Sequence, residues 1–415
     1  MRMKVRAFFI GAVLLAAMWT AGCGHYVCGT TFGSASCTAS GSGISTGTGQ
    51  TSANAFVFVP SGTTVSEDTL SVSTSSLAAT TNYTGPTTPN GNWAATVAQG
   101  QYLYTAYGIG EIYGWTIGSD GSLSAISGSP FSAPYMIGSS YGGPATQVMI
   151  TNPAGTLLFV QNQLNDAVYV YQIGSGGALT AATGTPLLLP FLPGNLATDG
   201  LGKYLYVSNI VSGSATSEIA AYNINSTTGA LSSVSGSPFV STGSSLEYSM
   251  FQLQGESSGK YMIGTTAGED FGGDFHLYVF SIAQSGTNAG AITPVSGSPF
   301  ATVYPPYRIA VQPSAGGNLV YSFSISSTGT DSPIEGFTLN TSTGALSEMS
   351  GSPFSNASGT GDSGQFDQSG AYLFAWDSSD STMSVFSVGT SGALTQPIGT
   401  NGFPALEAWA VADAP

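Results

Sequence analysis

Few side chains in this sequence could do ionic chemistry, and Arg308 stands out among them. It lies in the stretch Pro306-Tyr307-Arg308-Ile309-Ala310, and after the first twenty residues the only other basic side chains are Lys203 and Lys260. A lone guanidinium near a carboxylate such as Glu247 or Glu407 would orient a ligand carboxylate or polarise a carbonyl oxygen. The plainer role is a structural ion pair or a hydrogen-bonding hub. Lys203 and Lys260 each precede a short apolar run at a turn, where a solvated lysine is the ordinary role. One arginine in a strongly acidic chain makes a poor phosphate site.

The remaining inventory is thin. His25 lies near the N-terminus, and His276 ends the acidic string Gly268-Glu269-Asp270-Phe271-Gly272-Gly273-Asp274-Phe275-His276. Oxygen-rich loops can hold calcium. The spacing of Glu269, Asp270 and Asp274 matches no calcium loop, and a solvated acidic loop is expected, with no metal and no cofactor. Aromatic side chains offer another kind of site: Trp93, Tyr248, Tyr307 and Trp409, joined by Gln147, stand near the starts of the innermost strands inferred below. Facing a common mouth they would stack on sugar rings; otherwise they pack between repeats. Nucleophilic catalysis has little support, because no Gly-x-Ser-x-Gly elbow precedes a helix and no cysteine is spare.

What positions these residues is a repeat. Gly-Ser-Pro-Phe occurs at Gly128–Phe131, Gly236–Phe239, Gly297–Phe300 and Gly351–Phe354, with degenerate copies at Gly184–Leu187 and Gly402–Pro404. The prolines Pro130, Pro186, Pro238, Pro299, Pro353 and Pro404 are 56, 52, 61, 54 and 51 residues apart. Upstream of each lies Gly-Ala-Leu or a relative, from Gly121-Ser122-Leu123 to Gly392-Ala393-Leu394. A period near 50 indicates a propeller or solenoid array. Each unit divides into four strands, clearest at Asn195–Asp199, Tyr204–Val207, Glu218–Asn225 and Ala230–Val234, after which Pro238 is expected to stop the ladder and free Phe239 to wedge between units. No sustained 3.6-residue apolar period appears, so the class is all-β.

Six complete units run from about Asn92 to Pro404. Before them, Phe56–Val59 has the look of a second strand and Thr69–Ser75 of a third; after them, Glu407–Asp413 has the look of a first strand. The C-terminal strand therefore completes the N-terminal blade, giving a seven-bladed β-propeller without the capping repeats a solenoid needs.

The unit built on Gly202-Lys203-Tyr204-Leu205-Tyr206-Val207, Ser226-Thr227-Thr228-Gly229-Ala230-Leu231 and Gly236-Ser237-Pro238-Phe239 resembles the seven-bladed propeller lactonase family, which includes bacterial 6-phosphogluconolactonase and YVTN-type surface repeats. The resemblance spans nearly all of Ala55–Asp413 but rests on scaffold positions, so it speaks for fold more than for activity. It implies a central channel fed by a Pro-Arg-His stretch at the start of an inner strand. In that place Tyr307 takes the Arg position and Arg308 the His position, and no channel histidine is visible. The family's catalytic residues do not carry over.

The first residues read as a leader: Arg2, Lys4 and Arg6 precede the apolar run Ala7–Trp19, too short to span a bilayer. Thr20-Ala21-Gly22-Cys23 resembles the lipobox of bacterial lipoproteins, which implies a lipid on Cys23, with an ordinary secretory signal as the alternative. Gly24 stands where Asp would favour inner-membrane retention, so the analogy leans to the outer membrane. Cys28 and Cys37 read as a disulfide in an exported protein. The expected organisation is a leader over 1–22, a lipidated Gly/Ser/Thr-rich stalk over 23–52 and the propeller over 53–415.

All 21 acidic residues follow the leader, against three basic ones, a net charge of 3 − 21 = −18 for that part. Such a surface repels phosphate backbones and excludes nucleic acid as a partner. The expectation is a monomeric, exported, membrane-anchored propeller on the outer-membrane, periplasmic or cell-surface side. It would bind a small ligand, glycan or surface protein without catalysis. The alternative is a lactonase-like hydrolase of a plain or phosphorylated sugar lactone.

Overall fold

The computed structural model describes residues 54–61, 63–85, 93–107, 110–133, 148–210, 217–240, 250–266, 275–314, 317–324, 333–354, 362–377, 382–395, 399–402 and 408–414. The chain divides into two units, Met1–Gln50 and Thr51–Pro415, and the described residues all belong to the second. Cys23, Cys28 and Cys37 lie outside them.

The repeats become seven antiparallel sheets. Blade 4 shows the plan. Its innermost strand, Pro193–Thr198, pairs with Tyr204–Asn209, then Glu218–Ile224, then the short outer strand Leu231–Ser233. The second strand is buried along its whole length, as in Leu157–Asn162 of blade 3 and Tyr261–Thr266 of blade 5. Both of its faces meet a neighbouring blade, so continuous apolar runs replace alternation.

The Gly-Ser-Pro-Phe motif corrects one expectation. Pro238 does not end the ladder: Phe239–Val240 resumes it, pairing with Ile219 and Glu218 at the start of the third strand. Between the two outer pieces the third strand has a backbone N–H with no ladder partner, and the motif's serine supplies one. Ala221 N–H donates to Ser237 Oγ at 2.8 Å. The same bond joins Gly114 to Ser129, Val279 to Ser298 and Gly336 to Ser352. In the degenerate copy Val170 N–H donates to Thr185 Oγ1. The Ser-Pro and Thr-Pro peptides at these five positions are cis. Phe239 does pack between blades, against the cluster that blade 4 shares with blade 5.

Ring closure follows the expected plan with one shift of register. Ala410–Asp413 pairs with Ala55–Ser61, matching Ala55 to Asp413 and Phe58 to Ala410. The third strand of blade 1 is Thr64–Ser71, however, not Thr69–Ser75, and Ser76–Thr84 forms the outer strand beyond a one-turn 3-10 segment at Val72–Thr74. The Thr/Ser-rich sequence looks alike at either placement, and the pairing of Thr64–Ser71 with Ala55–Ser61, with Val65 buried, decides it. Each neighbouring pair of blades shares one apolar cluster, including blade 7 with blade 1 through Trp376, Val385, Val57 and Leu70, and blade 1 with blade 2 through Phe56, Phe58 and Leu103. The ring is closed by packing as well as by hydrogen bonds.

Candidate functional site

The inner strands surround a cavity of about 220 Å³. Their edges are stitched to one another by side-chain amides. Asn195 Oδ1 of blade 4 accepts from Leu253 N–H of blade 5, at 3.1 Å. Gln252 Oε1 and Gln254 Oε1 of blade 5 accept from Ile309 N–H and Val311 N–H of blade 6, at 2.6 and 3.1 Å. Inner strands of adjacent blades diverge too far to form a ladder, and long polar side chains bridge the gap. Gln252 and Gln254 are two residues apart on one strand and so share a face.

Arg308 is the first residue of the inner strand Arg308–Val311 and lines the cavity while only 6% exposed. Burial pushes its guanidinium pKa down from the ordinary value, and the Tyr307 phenol opposes this by charge and by a hydrogen bond. An arginine starts so far above neutral that it stays charged. Its Cζ lies 5.1 Å from the centre of the Tyr307 ring, within cation–π range. Tyr307 is itself held by its backbone: its N–H donates to Phe323 O, and its carbonyl accepts from Thr265 Oγ1. Burial raises the phenol pKa; Arg308 works against that and Asp362 with it. The buried Asp362 carboxylate is thus within electrostatic reach of the phenol. Tyr307 is not part of the cavity wall. It supports Arg308 from outside.

Among the other expected residues, Trp409 lines the cavity, directly before the closing strand Ala410–Asp413. Trp93 opens the inner strand of blade 2, paired through its backbone with Tyr107. Glu247, Glu407, Gln147, Tyr248, Glu269, Asp270 and Asp274 lie outside the described residues. His276 begins the third strand of blade 5, away from the inner edge. Among the described residues no group of three or more His, Cys, Asp or Glu gathers to hold a metal.

Sequence reasoning missed Gln252, Gln254, Ser363, Gln365 and Trp376, all of which line the cavity. The alternation in Met250-Phe251-Gln252-Leu253-Gln254 was the available signal for the first two. Trp376 lies on the second strand of blade 7, Tyr372–Asp377, and reaches the wall from behind the inner strand Ser363–Phe366. Among the described residues, the wall has one cation, several amides and hydroxyls, and no carboxylate or imidazole.

Residues 141–247 match the family described as lactonase, 7-bladed beta-propeller. The fold is a seven-bladed β-propeller, and the family match covers about two of its blades. No curated protein matches it by sequence. Among solved structures, this propeller resembles the periplasmic gluconolactonase PpgL of Pseudomonas aeruginosa, with TM-score 0.60 and 13% identity, over 88% of this chain and 99% of that one. A protein of Bacteroides uniformis, provisionally assigned as a 6-phosphogluconolactonase, aligns with TM-score 0.62 and 14% identity over 87% of this chain and 99% of that one. A protein from Lactobacillus plantarum aligns with TM-score 0.61 and 14% identity over 86% and 99%. Identity this low carries the fold and leaves the chemistry to the propeller's own residues.

Proposed function

We propose that this lactonase-type propeller is an exported lipoprotein, anchored through Cys23, that binds a small ligand in its axial cavity without turning it over. One observation carries the reading: the described wall offers donors, with Arg308 at their head, and no group that could act as a general base. Lactone hydrolysis needs a base to activate water as well as a donor for the oxyanion. Asp362, the carboxylate that reaches Tyr307, is buried and lies outside the wall. The resemblance to a periplasmic gluconolactonase favours the second reading, hydrolysis of a lactone whose carbonyl rests on Arg308.

A saturation-transfer NMR screen of the full chain in detergent, against a mixture of sugars, sugar acids, lactones and aromatic acids, tests the proposal. Expected hits disappear with Arg308→Gln. A silent screen, or hits indifferent to that change, would overturn it.

A further inference from the structure

Blade 1 ends differently from its neighbours. In blades 2 to 5 the outer edge is a three-residue strand and a two-residue one, separated by the cis-proline motif. Blade 6 ends in Leu346–Glu348 and blade 7 in Gly399–Gly402. The outer strand of blade 1, Ser76–Thr84, runs for 9 residues. It pairs with Thr64–Ser71 on one side, and among the described residues no strand pairs with its other edge. Its sequence, Ser-Leu-Ala-Ala-Thr-Thr-Asn-Tyr-Thr, holds neither a charge nor a proline. Those are two of the devices that keep an exposed edge from pairing with another chain.

Which backbone groups this edge presents follows from the hydrogen bonds behind it. Gly85 N–H donates to the Thr63 carbonyl, so Thr63 is turned toward the outer strand. Backbone direction alternates along a strand, so Val65, Glu67, Thr69 and Ser71 are turned the same way. Their register partners Tyr83, Thr81, Ala78 and Ser76 are thereby turned inward. Leu70 is turned the opposite way, its carbonyl accepting from Asn54 N–H. Thr80 has no register partner and forms a bulge between Ala79 and Thr81. The outward N–H and C=O groups are therefore those of Leu77, Ala79, Asn82 and Thr84, with a longer step at the bulge.

A regular strand presents such groups at every second residue, so it matches one half of this edge and slips out of register at the bulge. The same strand turned antiparallel matches both halves. Leu77 then meets Thr84 of the second copy, Ala79 meets Asn82, and the two bulges lie opposite each other. A two-fold axis relates the pairs, so the contact closes at two chains. In a strongly acidic chain, the strand also brings no like charges of its own to the seam.

We infer that a second copy of this chain docks on Ser76–Thr84, joining two four-stranded first blades into one continuous sheet. This departs from the monomer expected from the sequence and is independent of the axial ligand site.

Sedimentation equilibrium of the full chain in density-matched detergent, over a wide range of concentration, tests it. The expected result is a dimer that dissociates on dilution. Asn82→Pro removes an outward N–H from each copy and no bond to Thr64–Ser71, a position an edge strand tolerates. It is expected to weaken the dimer about tenfold, in line with two lost hydrogen bonds, and to leave the melt of the dilute monomer unchanged. Hydrogen exchange resolved to single amides needs no variant. The N–H groups of Leu77, Ala79, Asn82 and Thr84 should slow as concentration rises, while those of Ala78, Thr81 and Tyr83 stay protected throughout. A monomer at every concentration would overturn the inference. So would a dimer whose outward amides exchange as fast as in the monomer, or one that folded Asn82→Pro leaves intact.

Discussion

The phenol of Tyr206 donates a hydrogen bond to the carbonyl of Gly290, 3.0 Å away across the junction of blades 4 and 5. The same bond links Tyr104 to Gly177 and Tyr321 to Gly392, again between neighbouring blades. Burial raises the pKa of all three phenols, so each remains a neutral donor at ordinary pH. Strand aromatics and the Gly-Ala-Leu turns are thus two halves of one contact. The repeat in the sequence is a repeat of interfaces as much as of blades.

Tyr206→Phe keeps the ring and leaves the Gly290 carbonyl buried without its donor. The expected loss is about 1–3 kcal/mol. Urea denaturation would read it as a lower midpoint at an unchanged slope. A midpoint equal to that of the wild type would show the bond to be unimportant.

Gly290 itself is more tightly constrained. Its φ is +88°, and a Cβ there would stand 2.5 Å from the ring carbons of Tyr204. Gly290→Ala must therefore strain the backbone and displace a blade-packing aromatic together. We expect a loss larger than that of Tyr206→Phe, at least about 2 kcal/mol, measured in the same denaturation series.

Asp199 closes the first turn of blade 4 by accepting from the backbone N–H groups of Leu201, Lys203 and Tyr204. Burial nevertheless raises its pKa, the hydrogen bonds and Lys203 only partly offsetting it. The folded chain thus holds the proton to higher pH than the unfolded chain, so this group makes stability fall as pH rises through the window between the two pKa values. Blade 3 has solved the same turn with Asn152, whose Oδ1 accepts from Thr156 and Leu157 N–H. Asp199→Asn should keep the turn and stabilise the protein at neutral pH, with a smaller gain near pH 3. Glu335 and Asp413 are raised for the same reason and remain in both proteins. The wild-type-to-variant difference in melting temperature across pH isolates Asp199, and a gain that does not shrink in acid would contradict the assignment.

The blades were legible because their punctuation is chemical. A left-handed glycine, a serine that fills one N–H and an apolar second strand each have a residue signature. The first blade lacks the Gly-Ser-Pro-Phe mark, and for want of it the start of its third strand was placed five residues too late. That strand also buries Glu67 and Asp68, against the pattern that guides such readings. The cavity was legible in its cation alone. Arg308 announced itself by rarity, whereas Gln252 and Gln254 are ordinary residues whose meaning comes from the neighbouring blade that takes up their oxygens. Trp376 reaches the wall from a second strand, which no strand-start rule would select.

The most direct test of the central claim is hydrolysis. The full chain would be assayed against glucono-1,5-lactone and its 6-phosphorylated form side by side, with Arg308→Gln as the control. Rates equal to buffer for both lactones, with ligand binding retained by the wild type, are the predicted result. Turnover at an enzyme-like rate, lost with Arg308→Gln, would contradict the binding account and make the cavity an active site.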